Sequence, residues 1–350
     1  MGAAIKDVAR EAGLSISTIS KYLNGGKVKS KNQAKIEEAI RKLNYRPNEF
    51  ARGLRTSKSY IIGIIIYRLR DIFSGKLAGN IEFYLREKGY SIILWSHEGD
   101  KSQAEEALEF MLKNQVEGLI VEPIPGQEHL YERVLGKIPV VSVDGSPDMQ
   151  KFDSVMSNSM LGVYQGTEYL IEKGHKKIGM ISAGLHETEK MPSGVERWKG
   201  FQRAMEDYGL KINQNWVAQG DFTFQSGYEG MKKIWESPEH PTAVIAVNYN
   251  MCMGMMKALH EMKVRVPEEL SVLSMDDMVF STICTPKLTA IRQPVEEIAQ
   301  KAVELLLKRI SGNYSDFPKT LKIHTIFVER ESVIERKNEN LIYHERSNEV

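Results

Sequence analysis

Apolar residues in the first 45 positions recur at the spacing of amphipathic helices. The first stripe falls at i, i+3, i+4 and i+7 and consists of Ile5, Val8, Ala9 and Ala12. Gly13 then supplies a turn residue without a Cβ, and Ser15 stands at the N-cap position of a second short helix. A capping box at Ser30–Gln33 predicts the start of a third helix. The first two helices together predict a helix-turn-helix.

From residue 60 onward the pattern changes to apolar runs of four to seven residues, each followed by an amphipathic helical stretch. The runs predict strands at 61–67, 90–95, 118–121, 140–143, 178–182, 243–247 and 271–275. Runs without polar alternation are typical of strands that are covered on both faces. The fold class predicted for this part of the chain is therefore α/β, with doubly wound parallel sheets.

Ligands of such sheets bind beyond the carboxyl ends of the strands. The polar and aromatic residues that follow the predicted strands are Asp71, Phe73, Glu122, Asp144, Asn248, Asp276 and Asp277. Carboxylates and amides beside aromatic rings suit a small polar ligand. The sequence thus outlines a binding cleft.

Charge is distributed unevenly along the chain, although the formal net charge is only +1. Residues 1–60 carry 13 Lys and Arg against 5 Asp and Glu, whereas the remainder carries 34 against 41. A phosphate backbone attracts the first segment and repels the second. Together with the helix-turn-helix, this distribution predicts that the N-terminal module binds double-stranded DNA.

Length and composition restrict the class of protein further. A chain of 350 residues with 42% hydrophobic content can fill one small module and a large, two-lobed body. The two cysteines, Cys252 and Cys284, are too few for a disulfide framework and lack metal-ligand spacing, so we expect a reducing compartment. We also expect no cofactor and no metal. The sequence has no signal-peptide core, and its apolar stretch Tyr60–Tyr67 is too short to span a bilayer. We expect a soluble, cytoplasmic protein with no membrane partner.

Motifs of catalysis are missing from the sequence. There is no P-loop, no glycine-rich dinucleotide fingerprint after the first strand, no Gly-x-Ser-x-Gly elbow and no metal-spaced His/Cys cluster. Asp276 and Asp277 form a carboxylate pair, but neighbouring residues at a strand end point apart. We therefore expect that the protein is not an enzyme. A sugar-processing enzyme is the alternative from another class, because doubly wound folds host many enzymes.

Several motifs in a fixed order resemble the LacI/GalR (lactose-repressor) family of transcription regulators. They extend from Ile5 to about Ser332 and comprise 5–24, 45–48, 51–55, 174–178, 196–201, 220–222, 226–228 and 292–294. The resemblance implies an N-terminal DNA-binding headpiece, a hinge helix, and a core whose two lobes resemble periplasmic sugar-binding proteins. It also implies three passages of the chain between the lobes, which we place near 153–158, 290–293 and 319–322.

The resulting domain organisation has five parts. They are a headpiece at 1–47, a hinge helix and linker at 48–59, a core N-subdomain at 60–156 plus 292–320, a core C-subdomain at 157–291 plus 321–335, and a polar tail at 336–350. The tail lacks the sustained leucine heptads that join some family members into tetramers. We therefore expect a homodimer.

The second helix of the headpiece is expected to lie in the major groove. Its residues Ile16, Ser17, Ser20 and Lys21 are predicted to face outward, and Thr18, Ile19, Tyr22 and Leu23 to face the module core. By resemblance, Ile16, Ser17 and Lys21 occupy the base-reading positions, where an apolar side chain touches a thymine methyl and a lysine reaches guanine. Ser15, Thr18 and Asn24 are candidate phosphate contacts, although capping alone would also explain Ser15.

The hinge segment carries the other DNA-facing candidates, Asn48, Ala51 and Leu54. Leu54 resembles the family's leucine lever, which inserts between base pairs in the minor groove. The alternative is that Leu54 packs against its own helix. A two-turn helix with Gly53 inside it is marginal alone, so we expect it to form on DNA or against a partner copy.

The effector-binding candidates follow from the same resemblance. They are Phe73, Glu122, Arg197, Phe222, Asn248 and Asp276. Met156 and Tyr249 depart from the family, which has acids at these two places, so the ligand differs or Glu122, Glu187 and Glu189 replace the acids. The segment 118–123, which contains Glu122, resembles the corresponding segment of arabinose-responsive members of the family.

The resemblance as a whole implies a sequence-specific transcriptional regulator. We expect a repressor of carbohydrate-utilisation genes that binds a pseudo-palindromic operator as a homodimer, with a small-molecule effector, a sugar, bound between the lobes. The alternative within regulation is a carbon-catabolite-type regulator controlled by a phosphoprotein partner.

Overall fold

The computed structural model describes residues 3–23, 26–45, 58–145, 151–184 and 191–336. The chain divides into two units, Met1–Tyr60 and Ile61–Val350. Three predicted features fall outside the described ranges: Asn24, the hinge positions Asn48, Ala51 and Leu54, and the tail beyond residue 336. Glu187 and Glu189 also lie outside them.

The first unit contains the three predicted helices, α1 (Ile5–Ala12), α2 (Ile16–Leu23) and α3 (Ser30–Lys42). Their apolar faces meet in a small core that includes the fully buried residues Val8, Ile19 and Ile36. Gly13 has a φ of 63° and ends α1, as the turn between the two helices requires. The prediction of a helix-turn-helix followed by a third helix is confirmed.

The two predicted helix caps differ in outcome. The Ser15 hydroxyl accepts a hydrogen bond from the backbone N–H of Thr18 at 3.2 Å, as an N-cap does. The capping box at Ser30 is wrong, because α3 begins one residue earlier than that motif requires. Lys29 is the N-cap, and its carbonyl accepts from the N–H of Asn32 at 2.8 Å. Ser30 is therefore the first helical residue and does not cap.

The second unit contains two six-stranded sheets. The first sheet is formed by β1 (Ile61–Ile66), β2 (Ser91–Ser96), β3 (Gly118–Val121), β4 (Val140–Val143), β5 (Asp153–Ser157) and β11 (Thr320–Ile323). The second is formed by β6 (Ile178–Ala183), β7 (Val217–Gly220), β8 (Ala243–Ala246), β9 (Ser271–Met275), β10 (Thr289–Arg292) and β12 (Ile326–Val328). The strand orders are β11-β5-β4-β3-β1-β2 and β12-β10-β9-β8-β6-β7.

Within the described ranges, all strand pairs are parallel except β10 with β12, which is antiparallel. The helices that connect and cover the strands are α4 (Ile72–Glu87), α5 (Lys101–Lys113), α6 (His129–Glu132), α7 (Ser159–Glu172), α8 (Pro192–Asp207), α9 (Phe224–Trp235), α10 (Tyr249–Glu261), α11 (Val279–Ile283) and α12 (Val295–Ile310). Buried apolar residues fill the space between helices and sheets. The predicted doubly wound α/β class is confirmed.

Along the strands that the structure describes, the chain passes between the two sheets three times. The first passage follows Ser157, the end of β5, and the second follows Arg292, the end of β10, as predicted. The third was predicted at 319–322, and that position is wrong. Thr320–Ile323 pairs with β5 in the first sheet, so the chain leaves this sheet only between Ile323 and Ile326. Short strands with polar residues, such as Thr320–Ile323, have no apolar run that would mark them.

Within the described residues, no helix is long and apolar enough to cross a membrane.

His175 attaches the end of the second lobe to its sheet. This buried imidazole lies within hydrogen-bonding distance of the Thr242 hydroxyl at Nδ1 (2.9 Å) and of the Ile334 carbonyl at Nε2 (3.1 Å). The carbonyl can only accept, so Nε2 carries a proton. Burial lowers the pKa of His175 to about 4.

We expect the His175 contribution to stability to disappear in acid. Because its pKa is lower in the folded chain than in the unfolded chain, the contribution is complete above pH 6.5 and declines as the pH falls toward 4. The loss should amount to about 3 kcal/mol. Urea unfolding of wild type and His175→Gln between pH 7.5 and 4.5 measures it, since the difference between the two proteins isolates this residue. Parallel pH profiles would contradict the assignment.

Candidate effector cavity and DNA-facing helix

A cavity of about 490 Å³ lies at the carboxyl ends of the strands and has walls from both lobes. All six predicted effector-binding residues line it: Phe73, Glu122, Arg197, Phe222, Asn248 and Asp276. This is the position at which ligands of doubly wound sheets bind. The fold therefore brings together residues that are as far apart as 203 positions in the sequence.

Glu122 forms part of the first-lobe wall, directly after β3. Its carboxyl group accepts hydrogen bonds from the Tyr67 N–H at 2.7 Å and from the Ser74 hydroxyl at 3.1 Å. Burial raises the pKa of Glu122 to about 8, so the carboxyl group is mostly protonated at neutral pH. Both oxygens are engaged by the wall itself, and this residue therefore fixes the shape of the cavity.

Arg197 is the cationic group of the second-lobe wall and lies on α8. It is only 3% exposed, and its Nη1 donates to the Val247 carbonyl at 2.7 Å. Its Nε is buried and has no hydrogen-bond partner among the described residues. The guanidinium carbon lies 5.9 Å from the centre of the Phe222 ring, within cation–π range. Because the residue lines the cavity, its guanidinium can offer a ligand oxygen a charge-assisted hydrogen bond.

Asp276 contributes a carboxylate immediately after β9. Its Oδ1 accepts from Nε2 of Gln293 at 2.7 Å, and its Oδ2 accepts from the Tyr249 N–H at 3.3 Å. Its backbone is left-handed, with a φ of 72°. Each oxygen retains a second lone pair, so Asp276 can still accept hydrogen bonds from ligand hydroxyl groups.

Asn248 serves the architecture of the cavity. Its Oδ1 accepts from the Met251 N–H at 2.9 Å and caps α10, and its Nδ2 donates to the Phe222 carbonyl at 2.9 Å. The side chain thus joins α10 to the loop that carries the Phe222 ring. A ligand would use the remaining donor and acceptor of this amide.

Asp71 and Asp144, two of the acids that follow predicted strands, also line the cavity. Asp144 follows β4, has a φ of 49°, and has a pKa raised to about 6 by burial, which the nearby Arg197 partly opposes. Their positions after strands were visible in the sequence, but the family motifs did not select them. Asp277 does not line the cavity: it pairs with Arg292 and Arg330, both at 2.8 Å.

The lining is rich in carboxyl groups and poor in cations. Among the described residues, its acidic side chains are Asp71, Glu98, Glu122, Asp144, Asp221 and Asp276, whereas its basic side chains are Arg68 and Arg197. Such walls repel a phosphate and accept hydrogen bonds from hydroxyl groups. Across the described ranges, no group of three or more His, Cys, Asp or Glu is placed to hold a metal ion.

Fewer residues of α2 are exposed than the sequence predicted. Ile16 is 48% exposed, and Ser17 and Lys21 are also exposed, as expected for base-reading positions. The outward orientation predicted for Ser20 is wrong, because Ser20 is only 6% exposed and shares the buried stripe of α2 with Ile19. A concave surface beside the exposed stripe is formed by Ser17, Thr18, Lys21, Lys27, Val28, Lys29 and Asn32.

Hydroxyl groups at the start of α2 bond to one another. Oγ of Ser15 lies 2.8 Å from Oγ of Ser17 and 2.8 Å from Oγ1 of Thr18. The helix N-terminus and these hydroxyls together suit a phosphate oxygen.

Comparison with known proteins agrees with both parts of the structure. Residues 4–48 match the lacI family of bacterial regulatory proteins, and residues 167–333 match the periplasmic binding protein-like domain. The ribose operon repressor of Escherichia coli (strain K12) is 34% identical over 314 residues, which are 88% of this chain and 93% of the relative. The transcriptional repressor PurR of Pasteurella multocida (strain Pm70) is 33% identical over 95% of this chain and 99% of its own length.

Solved structures give the same result. The Lac repressor dimer bound to operator and the anti-inducer ONPF superposes with a TM-score of 0.86 at 25% identity, over 95% of this chain and 100% of that chain. A ribose operon repressor homologue from Burkholderia thailandensis has a TM-score of 0.68 at 28% identity and covers 77% of this chain and 99% of its own. The chain belongs to the lacI family of bacterial regulatory proteins and is a DNA-binding transcriptional repressor with a small-molecule effector domain.

Proposed function

We propose that this repressor controls carbohydrate-utilisation genes and that an uncharged sugar or similar polyol in the interlobe cavity changes its operator affinity. The observation that carries this proposal is the cavity itself: buried Arg197 lies beside the Phe222 ring and shares the lining with buried Asp276, and acids outnumber cations among the described lining residues. A few polar groups on aromatic walls suit a sugar. Two relatives named for the ribose operon support the same ligand class.

A thermal-shift screen of the full chain tests the ligand class. Pentoses, hexoses and pentitols are compared with the matching sugar phosphates, for example D-ribose with D-ribose 5-phosphate. A ligand at 100 times its Kd should stabilise the core by about 2.7 kcal/mol. Saturable stabilisation by a neutral sugar and none by its phosphate supports the proposal. Stabilisation by phosphates only, or by no sugar, contradicts it.

On the DNA side, we propose that Ile16, Ser17 and Lys21 read bases, and that Ser15, Thr18 and Asn24 contact phosphates. The exposure of Ile16 supports the first assignment, because a large apolar side chain has no partner there within the described headpiece core. We further propose that residues 48–59 form a hinge in which Asn48, Ala51 and Leu54 contact the minor groove. The cytoplasm, where operator DNA lies, is the proposed location, and no catalytic step is proposed.

Substitution of Leu54 by alanine should weaken operator binding more than tenfold. A leucine wedge between base pairs stabilises a bent duplex that contacts more of the protein, and alanine is too short to fill the opened step. Fluorescence anisotropy with a selected operator measures the effect, and circular dichroism confirms that the core remains folded. Unchanged affinity would exclude the wedge. Leu69→Ala, at an exposed leucine of the core, is the matched control.

We propose that dimerisation uses the exposed apolar surface of α11. Val279 is 75% exposed and Ile283 is 72% exposed, although both are aliphatic and lie on one short helix. An apolar patch of this kind marks an association surface, and a second copy of the chain would cover it by two-fold symmetry. Ile283→Asp should therefore produce monomers in light scattering and reduce operator affinity. A dimer that survives this change, or a stable tetramer of the wild type, would contradict the proposal.

A further inference from the structure

Three buried side chains form a continuous hydrogen-bonded chain from the cavity to the connection between the lobes. The Ser157 hydroxyl donates to Oε1 of Gln293 at 2.6 Å, and Nε2 of Gln293 donates to Oδ1 of Asp276 at 2.7 Å. The exposed fractions are 7% for Ser157, 5% for Gln293 and 4% for Asp276. We call these residues the hinge triad. Gln293 and Asp276 line the cavity.

The hinge triad joins two of the three passages between the lobes. Ser157 is the last residue of β5 in the first sheet, where the chain enters the second lobe. Gln293 follows β10 of the second sheet, where the chain returns to α12 on the first lobe. The third passage lies against the first, because the Asn158 N–H donates to the Ile323 carbonyl at 2.7 Å. Side-chain and backbone hydrogen bonds therefore connect all three passages to one another.

The side-chain amide of Gln293 is hydrogen-bonded through both its oxygen and its nitrogen, so a movement of either partner displaces it. A glutamine amide is a rigid plane, so an oxygen fixed by Ser157 and a nitrogen fixed by Asp276 determine one orientation of the group. Asp276 is itself held by its own N–H, which donates to the Ile291 carbonyl of β10 at 2.9 Å. A ligand that hydrogen-bonds to the Asp276 carboxylate must therefore rearrange the hinge triad or fit its existing geometry.

We propose that Ser157 and Gln293 are positioning residues of the effector site, which orient Asp276 and transmit a change in its hydrogen bonding to the interlobe passages. The angle between the lobes then depends on the state of this chain of hydrogen bonds. The inference rests on the proposed function only in that Asp276 meets the effector. A side-chain network with two arrangements, biased by the ligand, is a physical route for such coupling.

The distance between the lobes tests the inference without a ligand. In a full-length Cys284→Ser background, Glu106→Cys on α5 and Lys233→Cys on α9 accept spin labels, because both positions are exposed and lie on different lobes. Labelled protomers are mixed with an excess of unlabelled ones, and pulsed electron paramagnetic resonance records the distribution of distances between the two labels of one protomer. The variants are Ser157→Ala and Gln293→Met. The matched control is Ser142→Ala, which removes a different buried serine hydroxyl, bonded at 2.7 Å to the Ser154 hydroxyl inside the first lobe.

The inference predicts a second interlobe distance in Ser157→Ala and Gln293→Met and the wild-type distribution in Ser142→Ala. A purely structural role would lower the melting temperature and leave the distances unchanged, and this result would overturn the inference. If Gln293→Met does not fold, Ser157→Ala, which loses one oxygen atom, decides the question. Operator binding is measured separately, so failure of the hinge triad and failure of the proposed function give different results.

Discussion

Replacing Arg309 by methionine should lower the free energy of unfolding by about 3–5 kcal/mol. Arg309 lies on α12, and its side chain is fully buried. It donates to both carboxylate oxygens of Asp153, at 2.7 and 3.0 Å, and also to Asp316 and to the Asn313 carbonyl, both at 2.7 Å. Without the guanidinium, the fully buried Asp153 carboxylate keeps one partner, the Lys319 N–H at 2.8 Å. An unpaired buried charge is the most costly defect that one substitution can create here.

Urea unfolding of the Arg309→Met variant measures this loss. Lys308→Met is the matched control, because it removes the same charge one residue earlier and its partner Asp316 is one-third exposed. The control should lose at most about 1 kcal/mol. Adding Asp153→Leu to Arg309→Met should restore part of the stability, since it removes the unpaired charge. Equal losses in the two single variants would show that the buried pair contributes no more than a surface pair.

Substitution of Arg197 by methionine should reduce effector affinity on the order of 100-fold, about 3 kcal/mol, because it removes the cationic hydrogen-bond donor from the second-lobe wall of the cavity. Methionine preserves most of the apolar contact with Phe222 and cannot donate. The fold should survive, since the one hydrogen bond shown to be lost is that to the Val247 carbonyl. Operator affinity without effector should be near the wild-type value.

Isothermal titration with the effector identified by the screen measures this change. Arg68→Met is the control: Arg68 lines the same cavity but already pairs with Glu98 at 3.1 Å. Its loss should alter affinity by a few-fold only. If both variants bind alike, Arg197 does not contact the ligand, and the cavity recognises its effector through the carboxylates alone.

The sequence predicted the parts of the fold that depend on long apolar runs. Strands such as Ile61–Ile66 and Ser271–Met275 are buried on both faces, so each has few polar residues and stands out. Edge strands such as Thr320–Ile323 were missed, because they are half exposed and polar residues interrupt their apolar ones. In the headpiece, helical spacing predicted the three helices, but it misplaced Ser20 because the buried stripe of α2 includes it.

The sequence identified residues that line the cavity, but it did not identify the roles of all of them. The family motif at 196–201 identified Arg197, and the position after a predicted strand identified Asp276. Both features can be recognised from the order of residues in the sequence. They did not show that Glu122 and Asn248 use their polar atoms to hold the walls, since such bonds join residues distant in sequence. Gln293 was visible only as part of a motif, and its bond to Ser157 spans 136 positions.

The central claim is that effector binding in the core changes the affinity of the headpiece for a specific operator. We would select operator sequences from random DNA with the full chain, and then measure their Kd with and without the sugar from the thermal-shift screen. The account predicts a pseudo-palindromic site and a change in Kd of about 5- to 150-fold, corresponding to a coupling of about 1–3 kcal/mol. Binding without sequence preference, or a Kd that a saturating effector leaves unchanged, would contradict it.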